Sequence, residues 1–132
     1  MQSILSKEDF SLMLSRAHSV LYFYVDWSAY AIEGLHMLEE VESVLARSNS
    51  GSVASFWLAD VSDVNAPAAF IGDWLKGQER AGLKLYNIVA LGNGSVAWLK
   101  RGEIVNFAQC ATALDVDSLS ERTRSVSSER AT

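Results

Sequence analysis

The sequence predicts an α/β fold, a three-layer α/β/α sandwich on a central mixed sheet, with elements in the order β-α-β-α-β-α-β-β-α. Three observations carry this. Residues 20–25, Val-Leu-Tyr-Phe-Tyr-Val, are β-branched, aromatic and aliphatic without alternation, the pattern of a strand covered on both faces. Residues 53–61, Val-Ala-Ser-Phe-Trp-Leu-Ala-Asp-Val, make a second such run, and a long amphipathic stretch between the two requires a parallel pair with a right-handed crossover. Residues 95–109 hold two apolar segments either side of Lys100-Arg-Gly-Glu, which reads as an antiparallel hairpin closing the sheet.

The elements follow in order. A short strand over residues 3–5 precedes a helix over 6–17. There Ser6 and Asp9 stand in capping-box positions, and Phe10, Met13, Leu14 and Ala17 share one face. The strand at 20–25 leads into a helix over 30–47 whose buried stripe is Leu35, Leu38, Val41 and Leu45. Glu33, Glu39, Glu40, Glu42 and Arg47 form its solvated side. Ser48-Asn-Ser-Gly51 stops it. After the strand at 53–61, Asn65 is expected to cap a third helix with Pro67 in its first turn. That helix has a core face of Phe70, Ile71, Trp74 and Leu75 and runs to about residue 80, with Gly82 as the stop. Residues 82–94 read as an insertion. A competing register pairs 88–91 with 95–99 through a tight Asn93-Gly94 turn. The first register is preferred because the final helix, capped by Asp115 and bearing Val116 and Leu119, then follows its strand at the usual distance. Residues 1–124 are assigned to one domain and 125–132 to a polar, disordered tail.

Composition narrows the function classes. A chain of 132 residues is expected to bury about two-thirds of its unfolded surface in one core. A formal net charge of −5 disfavours nucleic acid or an anionic membrane as partner. The first residues carry neither a basic segment nor a long apolar core, so no signal peptide is expected and a cytoplasmic address is the simplest reading. His18 and His36 have no metal-ligand spacing around them, and Gly92-Asn-Gly94 lacks the length and the Lys of a phosphate loop, so neither metal nor cofactor is expected. The single cysteine, Cys110, excludes an internal disulfide.

Residues 20–31, Val-Leu-Tyr-Phe-Tyr-Val-Asp-Trp-Ser-Ala-Tyr-Ala, resemble the thioredoxin segment in which an aromatic-rich strand leads to Trp-Cys-Gly-Pro-Cys. Lys100-Arg-Gly-Glu resembles the turn of that family's closing hairpin. The resemblance implies the thioredoxin-like sandwich and a family association with cell redox homeostasis. It also implies loss of the chemistry. Trp27 is kept, but the two cysteine positions hold Ser28 and Ala31, with Ala29 and Tyr30 between them. Tyr22 takes the place of the family's buried acid, and Gly94 that of its cis-proline, where a trans bond is the default. Disulfide exchange needs a helix-terminal thiolate and a resolving thiol three residues on. A serine without a neighbouring histidine and an alanine supply neither.

The expectation is therefore a non-catalytic, chaperone-like or scaffold module. Its binding surface would be Trp27, Tyr30 and Gly94, where the family holds extended peptide segments. Its partner would be another protein or an extended peptide, a second copy of the chain included. The competing expectation is a single-cysteine thiol enzyme or redox sensor using Cys110. Gln109 and Ala111 place no positive charge beside that thiol, and Lys100 and Arg101 belong to the far hairpin turn, so an unactivated structural cysteine is the favoured reading.

Overall fold

The computed structural model describes residues 1–48, 54–78 and 84–127. In chain order the elements are β1 (Gln2–Ser3), α1 (Lys7–Leu14), β2 (His18–Tyr24), α2 (Ala29–Arg47), β3 (Ser55–Asp60), α3 (Ile71–Lys76), α4 (Leu85–Ala90), β4 (Val96–Lys100), β5 (Glu103–Ala108) and α5 (Val116–Ser127), with a 3₁₀ turn at Ala111–Ala113. The five strands form one mixed sheet in the order β1-β3-β2-β4-β5. β1 and β2 lie parallel to β3, β2 is antiparallel to β4, and β4 to β5. The two apolar runs are thus parallel neighbours, with Val20 opposite Phe56 and Phe23 opposite Ala59.

The period of two along the central strands builds the three layers. From β2, Leu21 and Phe23 join Trp57, Ala97 and Leu99 on the face covered by Phe10 and Met13 of α1, Ile71 and Leu75 of α3, and Leu85 and Val89 of α4. Val20 and Tyr22 join Phe56, Val96 and Trp98 on the other face, under Leu38, Val41 and Leu45 of α2 and Leu119 of α5. β2 carries five consecutive buried residues, which is why its sequence shows no polar alternation.

Helix ends follow local chemistry. The Ser6 side chain accepts from the Asp9 backbone N–H at 3.2 Å, while the Asp9 carboxylate reaches back to the Leu5 N–H at 2.9 Å, one residue beyond the usual capping-box partner. The Asp115 carboxylate accepts from the Ser118 N–H at 2.7 Å and starts α5. The hairpin takes the preferred register, with Lys100 opposite Glu103 and a register shift between Trp98 and Leu99. Its turn is tied to the loop between α1 and β2 by the Arg101 N–H, 3.0 Å from the Ala17 carbonyl; the first helix ends at Leu14, short of the expected residue 17.

Three further expectations are corrected. Asn65 caps nothing: residues 62–70 are successive turns, and α3 begins only at Ile71, after Phe70. The Asp60 and Asp63 side chains take the backbone N–H groups of Ser62 and Asn65 and hold that stretch in turns, an alternative to helix that short acidic side chains favour. The segment read as an insertion, or as a strand in the competing register, contains α4, whose Leu85 and Val89 fall one turn apart on the core. The last helix continues through Ser127, three residues into the assigned tail, with the Ser127 hydroxyl donating to the Thr123 carbonyl at 2.7 Å. The helix stops expected at residues 49–51 and at Gly82, the start of the second strand at Val53, and the tail from residue 128 lie outside the described residues.

Candidate functional site

β2 delivers the chain to a turn at Val25 to Ser28 that sits on the loop following β3. Ser62 is the anchor of that contact. Its hydroxyl accepts from the Asp26 N–H at 2.9 Å and donates to the Asp60 carboxylate at 2.6 Å, and its carbonyl accepts the Trp27 indole N–H at 3.0 Å. On the other side the indole ring packs against Gly92, where a Cβ would collide with it. Trp27 is thereby held at two edges and is still 59% exposed. Nothing in the local sequence marks Ser62 or Gly92 for this work, since both act across the fold.

Ser28 is the N-cap of α2. Its hydroxyl accepts from the Ala31 N–H at 3.4 Å and its carbonyl from the Ile32 N–H at 3.1 Å. The hydroxyl oxygen is engaged in starting the helix. His18 begins β2 at the far end of the strand, and His36 lies farther along α2 beside Glu39 at 3.4 Å, so neither histidine stands next to the Ser28 hydroxyl. Ala29 and Tyr30 open the first turn, with Tyr30 exposed, and Ala31 is fully buried.

Beneath Ala31 lies Tyr22. Its phenol is fully buried and donates to the Ala31 carbonyl at 2.6 Å. Burial pushes its ionisation well above the ordinary tyrosine value, with Cys110 and Tyr24 adding to the rise. The ring needs room, and two glycines provide it. A Cβ at Gly34, on α2, or at Gly94 would run into the phenol oxygen. Gly94 also has φ +76°, a backbone that side chains strain to adopt. The space between Gly34 and Gly94 is filled by a neutral ring reaching up to the helix.

Gly94 is buried, so the expected surface of Trp27, Tyr30 and Gly94 reduces to its two aromatic members. Gly94 lies beside Ala31: a Cβ built on it would lie 3.3 Å from the Ala31 Cα. Its carbonyl accepts from the Ala111 N–H at 2.8 Å, and the Ser95 hydroxyl donates to the Gln109 carbonyl at 2.8 Å, which brings the end of β5 to the same place. Cys110 is therefore a neighbour of this site. It is half-buried, and its Sγ lies 3.0 Å from the Thr112 hydroxyl. Among the described residues no group of three or more His, Cys, Asp or Glu side chains could hold a metal ion. Nor is any described helix long and apolar enough to cross a membrane.

A groove with a cavity of about 260 Å³ opens next to Trp27. Its walls are the turns after β3, α3 and α4, with Val61, Val64, Leu75, Tyr86 and Val89 among the lining side chains. Sequence reasoning missed it because its wall joins segments distant in the chain, among them Tyr86, Val89 and Ala90 of α4.

No protein-family model matches the chain, and no curated protein matches it in sequence. Solved structures do match in fold. A single-residue mutant of thioredoxin from Halobacterium salinarum NRC-1 superposes with a TM-score of 0.62 at 18% identity, over 99% of this chain and 93% of that one. The oxidised thioredoxin of Plasmodium falciparum gives a TM-score of 0.63 at 13% identity, over 92% and 96%. Oxidised mitochondrial thioredoxin 3 of Saccharomyces cerevisiae gives 0.61 at 12%, over 95% and 94%. The chain has the thioredoxin fold. It spans the thioredoxin structures almost end to end, and its single cysteine leaves it with no Cys-x-x-Cys pair. At these identities the likeness is one of fold.

Proposed function

We propose that this thioredoxin-fold chain is a redox-inactive binding module that holds an extended segment of another protein against Trp27 and Tyr30. The observation that supports it most directly is the state of Trp27, a large aromatic ring fixed by Ser62 and Gly92 and left mostly in solvent. A rigid exposed aromatic contributes contact area at little entropic cost on binding, which is why such residues dominate interfaces. Disulfide exchange is disfavoured by the chemistry at the same place. The capping hydroxyl of Ser28 is a poor nucleophile, Ala31 cannot resolve a mixed disulfide, and the neutral Tyr22 cannot serve as a proton acceptor at ordinary pH.

The test pairs an activity assay with a binding assay. The purified protein is expected to show no reduction of a protein disulfide by dithiothreitol or a thioredoxin reductase above a Cys110→Ser control. Replacing Trp27 and Tyr30 by Ala is expected to leave the thermal midpoint within a few degrees, because both side chains are mostly exposed, and to abolish capture of the native partner. Cys110-dependent turnover would reject the binding module in favour of a thiol enzyme, the reading supported by Cys110 being only half-buried beside the site. Capture unchanged by the double substitution would reject the surface.

A further inference from the structure

The groove beside Trp27 has an apolar floor and an acidic end. Three acidic residues stand near Trp27. Asp63 lines the groove, the Asp60 carboxylate accepts from the hydroxyl of the lining Ser62, and Asp26 precedes Trp27 in the chain and gives its backbone N–H to that same hydroxyl. Asp26 and Asp63 are exposed. Among the described residues none of the three is in an ion pair. Lys76 lies over the ring of the lining Tyr86 at 4.6 Å and 3.9 Å from Asp73, so its charge already has partners. Val64, also in the groove wall, stands 89% exposed.

We propose that the groove receives an extended protein segment carrying one aliphatic side chain flanked by Lys or Arg. The aliphatic group would enter the cavity against Val64 and Val89, and the cationic neighbour would meet Asp26 and Asp63 beside the Trp27 ring. Unpaired carboxylates at the edge of an apolar cleft attract a cation, and an indole face within reach strengthens the contact. An acidic segment would meet three negative charges and is selected against. This inference rests on the binding reading of Trp27 and specifies what is bound.

The probes are short acetylated, amidated peptides with a central Leu flanked by Arg, the same peptide flanked by Glu, and an Arg-flanked peptide with central Ser. They are titrated into the full chain by calorimetry or amide NMR. The Arg-Leu-Arg peptide is expected to bind roughly tenfold or more tighter than either control, and to weaken as salt is raised to about 0.5 M. Asp26→Asn with Asp63→Asn is expected to erase the preference over the Glu-flanked peptide, since Asn keeps the shape and loses the charge. Val64→Ser, at an exposed position that the fold does not need, is expected to erase the preference over the central-Ser peptide. Equal binding of Arg- and Glu-flanked peptides, or of Leu- and Ser-centred ones, would overturn the proposal. So would a dimer of the chain, seen by sedimentation, that Val64→Ser dissolves. If no peptide binds while Trp27→Ala with Tyr30→Ala still abolishes capture of the native partner, this inference fails and the binding module stands.

Discussion

The phenol of Tyr22 crosses from β2 to the first turn of α2 and closes the floor of the site. Its fit with Gly34 can be measured. Gly34→Ala puts a methyl where the hydroxyl lies, with the ring carbon behind it at 3.2 Å and the Ala111 Cβ at 3.3 Å, and is expected to cost about 1–3 kcal/mol. Tyr22→Phe removes the oxygen and one hydrogen bond, at about 1 kcal/mol. The double variant should be more stable than the sum of the two losses, because the clash disappears with the oxygen; an additive result in urea unfolding would mean that the two do not share that space. The same burial sets a pH response. The folded pKa of Tyr22 is raised, so the unfolded chain ionises first. Its contribution is complete below the ordinary value of 10.0 and is lost as pH rises beyond it. Tyr22→Phe should therefore show a smaller alkaline loss of stability than the parent chain. At this scale the sequence was legible where a residue acts through its neighbours in the chain, as Ser6 and Asp115 do as caps. Gly34, Ser62 and Gly92 were silent, because each answers a side chain that only folding brings near.

Among the elements, α2 is the one that carries the site, and its start can be probed chemically. Ser28 and Ala31 are its N-cap and the third residue beyond, on one turn of one helix. Ser28→Cys with Ala31→Cys should form an intramolecular disulfide under mild oxidant, detected as loss of free thiol without dimerisation. At the other end of the same layer, α5 is docked by a bond between side chains, with the buried Trp98 indole N–H donating to the Thr123 hydroxyl at 2.9 Å. Thr123→Val keeps the shape and orphans that N–H, an expected loss of about 1–3 kcal/mol in denaturant unfolding. The exposed Asp115 cap responds to acid. Its folded pKa is lowered, chiefly by the Ser118 backbone N–H, so its contribution is present above the ordinary carboxylate value and fades as pH falls through the folded one. β2, β3 and α2 could be read from the sequence because length and patterning leave one interpretation, and the core face of α3 could be read although its start could not. α4 could not. Six residues such as Leu-Tyr-Asn-Ile-Val-Ala suit helix and strand alike, and only the neighbouring layer decides between them.

Taken whole, the described residues form a sheet covered on both faces, with an apolar opening where the turns after β3, α3, α4 and the Trp27 turn meet. The order of the layers was legible from the sequence, since two unbroken apolar runs with a helix between them admit few topologies. The opening was not, being formed by segments distant in the chain. The opening lies beside Trp27, at the turn that leads into α2.

The Tyr22 ring also bears on how such a chain could change over generations. Cysteines introduced at 28 and 31 would create a thiol pair above a neutral phenol bound to the Ala31 carbonyl. An acid at 22 would leave the volume between Gly34 and Gly94 empty, and filling those glycines first would collide with the ring still present. Each change alone is harmful or idle until the others are made. Positions 22, 28, 31, 34 and 94 are thus expected to show epistasis, and a local packing solution becomes a constraint: a dithiol centre at this turn is closed to single substitutions.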